Sequence, residues 1–265
     1  MQDSYKIQED MKMVNDMFDV TGKRAIVTGA AQGLARGMAE GFLESGCKVV
    51  LMDISDKLDE TVEEFRSKGY DAHGVKGNLA ERDEIYRMWD EAMTILGGID
   101  ILVPAAGIQR RHRSDEFPMS DWDLVLAVNL NAVFILDQLA GKEMIKQGSG
   151  KIINIASMVS WFGGINVPAY TAAKGGVSQM TKTMANDWAQ FGVNVNAIAP
   201  GYMATDMNTK IIEDQNRNKE ITERIPAKRW GTPDDMKGIA LFLASKASDY
   251  LNGAIIPVDG GYLVR

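Results

Sequence analysis

The chain has 265 residues, of which 45% are hydrophobic and 25% charged, and its formal net charge is −7. That length and apolar share suit one large α/β domain with a parallel sheet buried on both faces. The acidic balance argues against nucleic acid or an anionic membrane as the main partner, and a single cysteine excludes an internal disulfide.

The first seventeen residues carry Asp3, Lys6, Glu9, Asp10, Lys12 and Asp16 without an apolar stretch, so they do not read as a signal peptide. An N-terminal extension at 1–17 ahead of a single domain at 18–265 is expected. Met11, Val14 and Phe18 form a weak helical stripe, compatible with a short helix against a neighbouring subunit or with a frayed tail. Nothing later in the chain is expected to cross a bilayer.

The first strand is expected at 24–28. It is followed by the turn Gly29-Ala30-Ala31-Gln32-Gly33 and a helix at 33–45 that opens near Leu34. Such a turn points backbone N–H groups at an anion by the positive end of the helix. The second strand, 47–52, contains Cys47, read as a small buried packer. It runs into Asp53-Ile54, the acidic position expected about twenty residues past a dinucleotide-binding turn.

A helix at 57–68, a strand at 72–76, a helix at 81–96 and a strand at 100–103 follow. Pro104-Ala105-Ala106-Gly107 comes next. Proline there lacks a backbone donor and threatens the hydrogen bonding of a central strand. Gln109-Arg110-Arg111-His112-Arg113 is the densest basic cluster of the chain and falls just past a strand C-terminus, where ligands bind in this architecture. Two histidines and one cysteine offer no metal site.

A helix at 119–147 contains Asn129, a poor helix former, read either as a half-exposed polar position or as the support of a local kink. The apolar strand 150–156 ends at Ser157. A glycine-bearing loop leads to a helix at 168–191 that begins with Pro168. Tyr170 and Lys174, four residues apart, share one face of it. A phenol is a poor base at neutral pH, and a neighbouring ammonium makes it a better one. A strand at 193–199, a polar lid-like segment at 207–224, a helix at 233–245 and a strand at 254–258 complete the chain. Thr232-Pro233-Asp234-Asp235 is a helix start.

These motifs resemble the short-chain dehydrogenase/reductase family from about Phe18 to the C-terminus. The family pattern is matched by Thr28-Gly29-Ala30-Ala31-Gln32-Gly33-Leu34-Ala35, Asn129, Ser157, Tyr170 with Lys174, and Pro200-Gly201. Ala35 stands for a third glycine, and Pro104-Ala105 for two asparagines. The resemblance implies a Rossmann-like, doubly wound domain with seven parallel strands. It also implies a catalytic set of Asn129, Ser157, Tyr170 and Lys174, in which Asn129 exposes a carbonyl to a water that links Lys174 to solvent.

The same resemblance puts the cofactor against Gly29, Gln32, Gly33, Leu34, Asp53, Ile54, Asn78, Leu79, Ala105, Gly107, Tyr170, Lys174, Pro200, Gly201, Met203 and Thr205. Asp53 favours NAD, because a carboxylate binds two free ribose hydroxyls and repels a 2′-phosphate. Similarity to the sugar-acid branch of the family implies an anionic six-carbon substrate. Arg110 or Arg111 would meet its carboxylate, while Ser157, Trp161 and Tyr202 shape the pocket. A 3-oxoacyl reductase using NADPH and an NAD(H) sensor without turnover are the competing readings. A cytoplasmic homotetramer is the expected setting.

Overall fold

A computed structural model describes Val14 and residues 16–265 of the chain. Met11, in the expected N-terminal stripe, lies outside the described residues. Phe18 is half exposed and packs its ring 6.5 Å from that of Phe242.

Seven strands form one parallel sheet in the order β3-β2-β1-β4-β5-β6-β7. They are β1 (Arg24–Thr28), β2 (Lys48–Asp53), β3 (Ala72–Lys76), β4 (Ile101–Val103), β5 (Gly150–Ile155), β6 (Val193–Pro200) and β7 (Ile255–Val258). The α-helices are α1 (Gly33–Glu44), α2 (Lys57–Ser67), α3 (Arg82–Leu96), α4 (Met119–Leu126), α5 (Ala132–Gln147), α6 (Pro168–Trp188), α7 (Thr209–Glu213), α8 (Gln215–Arg224) and α9 (Lys237–Ala244).

Alternation along the strands sorts side chains between two cores. Ala25 and Val27 face α1, α2 and α9 with Met38, Phe42, Phe65 and Leu243. Ile26 faces the other layer, where Met88 and Trp89 of α3, Leu136 of α5 and Met184 of α6 pack. Both faces are covered, which explains the nearly unbroken apolar runs of the strands.

Three features depart from the sequence expectations. The polar segment expected as a lid holds two short helices, α7 and α8, and Asp214 caps α8 by accepting from the N–H groups of Asn216 and Arg217, both at 3.1 Å. Met119–Gln147 is one continuous 29-residue helical run, long and apolar enough to cross a membrane, contrary to expectation. Its inner face carries Val125, Ala132, Leu136 and Ala140 into the protein, so burial within the fold accounts for its apolarity. Finally, pairing between β4 and β5 stops at Leu102 and Ile152, whereas β5 keeps pairing with β6 through Ile155. Pro104, with no N–H to give, ends the β4 side of the ladder.

Candidate active site

The chain leaves β1 toward β2 on one side and reaches β4 on the other, which opens a crevice at the strand C-termini. A cleft of about 590 Å³ lies there, and every residue expected at the cofactor, from Gly29 to Thr205, lines it.

The glycine turn is built for close approach. Gly29 has φ +70°, and a Cβ on it would meet the Ala106 Cα at 2.7 Å. Its N–H donates to the Met52 carbonyl at 2.7 Å, and the Ala106 N–H donates to Thr28 Oγ1 at 3.0 Å. The two strand ends are thereby stitched together beneath the cleft. Ala35 is accommodated as a buried side chain. Tight packing of α1 falls instead at Gly37, where a Cβ would meet Pro233 at 2.7 Å.

Asp53 is held from both sides: Oδ2 accepts from the Ala31 N–H and Oδ1 from the Ser55 N–H, each at 2.9 Å. A carboxylate retains further lone pairs after two such bonds. Asp53 therefore fits a ribose diol at the cleft edge while pinning the glycine turn. Lys57 donates to Gln32 Oε1 at 3.2 Å nearby.

Asn129 is fully buried in a π-helical turn, Ala127–Asn131, that joins α4 to α5. The half-exposed reading is thus excluded, and the local departure from α-helical geometry takes the form of that π turn. Its amide pairs with one peptide group: Oδ1 accepts from the Ile108 N–H and Nδ2 donates to the Ile108 carbonyl, both at 2.9 Å. The side chain clamps the loop after β4, which carries Gly107 into the cleft.

Ser157 caps the 3₁₀ turn Met158–Ser160, accepting from the Val159 N–H at 3.4 Å, and it lines the cleft together with Tyr170. The Ser160 hydroxyl donates to the Lys174 carbonyl at 2.9 Å and accepts from the Ser157 N–H at 3.4 Å. Ser160 thus joins the two chain segments of the site. The sequence reading missed it, although serines three apart at a strand end are a capping-box signal. Lys174 is 3% exposed, and its Nζ donates to the Ile155 carbonyl at 2.6 Å and lies 5.7 Å from the Tyr170 ring centroid.

Burial pushes the Tyr170 phenol above its ordinary value, while the neighbouring Ser157 hydroxyl and the Arg111 charge pull it back. Burial also lowers Lys174 to about 8. The Lys174 ammonium is anchored on the Ile155 carbonyl beside the ring, and the exposed Arg111 adds a second positive charge that favours the phenolate.

The basic cluster divides. Arg110 lines the cleft with its Nε 3.4 Å from Asp121, and His112 Nε2 lies 2.8 Å from the other oxygen of that carboxylate. Arg113 pairs with Asp115 at the surface. Arg111 is exposed and forms no ion pair among the described residues. Trp161 and Tyr202 do not line the cleft. Trp161 is half exposed, and Tyr202 turns into an aromatic cluster, 5.4 Å from Trp230 and 5.3 Å from Tyr262. Met207 and Asn208, at the start of the segment read as lid-like, line it as well.

Residues 29–263 match a family model described as enoyl-(acyl carrier protein) reductase. The chain is 48% identical over 254 residues to 2-dehydro-3-deoxy-D-gluconate 5-dehydrogenase of Escherichia coli strain K12, covering 96% of this chain and 100% of that protein. It is 46% identical over 257 residues to the protein of the same name from Bacillus subtilis strain 168, with the same coverage. Among solved structures, gluconate 5-dehydrogenase from Burkholderia cenocepacia J2315, in complex with NADP and tartrate, superposes with a TM-score of 0.90 at 39% identity. That match covers 94% of this chain and 98% of the other.

Proposed function

Because this chain belongs to the short-chain dehydrogenase/reductase family, we propose that it interconverts a secondary alcohol and a ketone on a six-carbon sugar acid, as a 2-dehydro-3-deoxy-D-gluconate 5-dehydrogenase. The observation that carries this reading is the meeting of Ser157, Tyr170 and buried Lys174 in one dinucleotide-sized cleft that Arg110 also lines. A nicotinamide dinucleotide held by these cleft residues would supply the hydride acceptor.

Tyr170 takes the alcohol proton, and Ser157 donates a hydrogen bond that fixes the reacting oxygen. Lys174, anchored on the Ile155 carbonyl, supports the ring from below and lies on the path by which the proton leaves. Arg111 supplies charge for the substrate carboxylate and lowers the cost of forming the phenolate. Arg110, held against Asp121, walls the cleft.

NAD is the proposed cofactor on the strength of Asp53, which is turned to the cleft and already oriented by two N–H groups. The NADP in the Burkholderia structure and the Lys57–Gln32 pair make NADP the competing outcome. The proposed setting remains a cytoplasmic homotetramer.

The test is spectrophotometric: hexonates and deoxyhexonates with NAD or NADP, against hydroxyacyl thioesters with NADP. NADH formation with a sugar acid supports the reading, and turnover of thioesters alone refutes it.

A further inference from the structure

A polar cluster that the chemistry above does not use lies behind the site. Asp137 on α5, Asn154 on β5 and Thr181 on α6 are each fully buried. Asn154 Nδ2 donates to Asp137 Oδ2 at 3.0 Å and to Thr181 Oγ1 at 3.1 Å, while the Thr181 hydroxyl donates to the Val177 carbonyl at 2.8 Å. Oδ1 of Asp137 and Oδ1 of Asn154 are enclosed and accept from no protein group. One amide therefore supplies the donors for a cluster of four acceptors.

Among the described residues no cation pairs with Asp137. Apart from Thr181, Ser178 and Lys174, whose polar atoms donate to the Val177, Lys174 and Ile155 carbonyls, the buried side chains around it are apolar, among them Met88, Trp89, Met184 and Val195. The charged groups of the surrounding elements are engaged elsewhere or exposed: Lys174 donates to the Ile155 carbonyl, Lys151 pairs with Asp249 and Arg87 with Glu91, and Lys142, Lys146 and Lys182 lie at the surface. Burial raises the Asp137 carboxyl to about 8, opposed only by the Asn154 hydrogen bond. A lone buried carboxylate is costly, whereas the neutral acid is cheaper to bury and adds a donor. Turning the Asn154 amide over leaves the same need, since its oxygen would then face Asp137.

The cluster sits where β5 is least supported. The β4 ladder ends at Ile152, and continuing its register would set Pro104, which has no N–H, opposite Asn154. Beyond that point β6 is the strand neighbour that still pairs with β5. The next residue, Ile155, carries the carbonyl that holds Lys174, and Ser157 follows.

We infer that Asp137 is a positioning residue which, as a neutral acid, clamps Asn154 and so fixes the Ile155 carbonyl and Ser157 against Lys174 and Tyr170.

Two substitutions separate this role from packing. Asp137→Asn keeps a donor and an acceptor but cannot ionise, and Asp137→Leu fills the space without polar atoms. At pH 7, D137N should hold kcat within about threefold of the original enzyme, and D137L should lose about tenfold or more, with a smaller change in NADH affinity. Above pH 8 the original enzyme should lose kcat more steeply than D137N, which keeps the same Tyr170 and Lys174.

A melting series needs no substrate, so it stands apart from the sugar-acid reading. The folded acid titrates about four units above its unfolded value of about 4, so its contribution to stability falls between about pH 4 and 8. The Tm advantage of D137N should widen across that range. A constant Tm gap, D137N falling as far as D137L, or D137L keeping full kcat would each overturn the proposal.

Discussion

Arg110 and Arg111 are neighbours in the chain with different surroundings, and the difference predicts different phenotypes. Arg110 is held near Asp121, whereas Arg111 forms no ion pair among the described residues and its charge reaches Tyr170. A charge-assisted contact to substrate is worth about 1.5–3 kcal/mol, so Arg111→Ala should raise KM for a sugar acid roughly ten- to a hundredfold. It should leave KM for the uncharged polyol analogue nearly unchanged, and Arg110→Ala should do less to both. Equal shifts for acid and polyol would show that neither guanidinium meets the carboxylate. Asp53→Ala should narrow the NAD-over-NADP ratio of kcat/KM, and it should also weaken both cofactors, because the Ala31 N–H loses its acceptor. An unchanged ratio would remove Asp53 from cofactor choice.

The strand–turn–helix unit around β1 and α1 depends on one backbone position. Gly29→Ala would put a methyl 2.7 Å from the Ala106 Cα at a φ of +70°. NADH affinity should fall about tenfold or more, with a lower Tm, since both strain and collision oppose the native turn. A fluorescence titration matching that of the unsubstituted protein would contradict the assignment of this turn.

Much of this level was legible in the chain itself. Each expected strand falls within a residue or two of an observed one, because β-rich apolar runs bounded by Gly and Pro leave little ambiguity. Gly29, Asp53, Ser157, Tyr170 and Lys174 meet at one cleft because the parallel order brings strand ends together. What stayed hidden depends on distant partners. Asn129 bonds Ile108, 21 residues away, and no local pattern announces that pairing. The helices α7 and α8 escape notice because their sequence is polar and only Ile221 is buried. Trp161 and Tyr202 were expected in the pocket from the likeness to the sugar-acid branch, but aromatic side chains bury as readily against one another, as Tyr202 does with Trp230 and Tyr262.

Across the whole molecule, the end of the sheet opposite the cleft is tied by Arg24. Its guanidinium donates to both oxygens of Asp100, to the Gly97 carbonyl and to Gln147, and so joins β1 to the ends of α3 and α5. Burial raises the Asp100 carboxyl, but the Arg24 hydrogen bonds outweigh it and leave the group below the usual carboxylate range. A depressed carboxyl stabilises the fold above its unfolded value and loses that contribution as pH falls through the folded one. Asp100→Asn should therefore cost about 1–3 kcal/mol at pH 7, and the cost should shrink toward pH 3 in urea denaturation. A pH-independent difference would contradict that assignment.

The molecule as a whole serves to hold one phenol beside one dinucleotide. Tyr170→Phe tests that most directly, in a single-turnover experiment alongside an NADH titration. Loss of hydride transfer by at least about a thousandfold is expected, with NADH affinity within a few fold of the unsubstituted protein. A Tyr170→Phe enzyme that still reduces or oxidises its substrate at a comparable rate would contradict the role assigned to Tyr170.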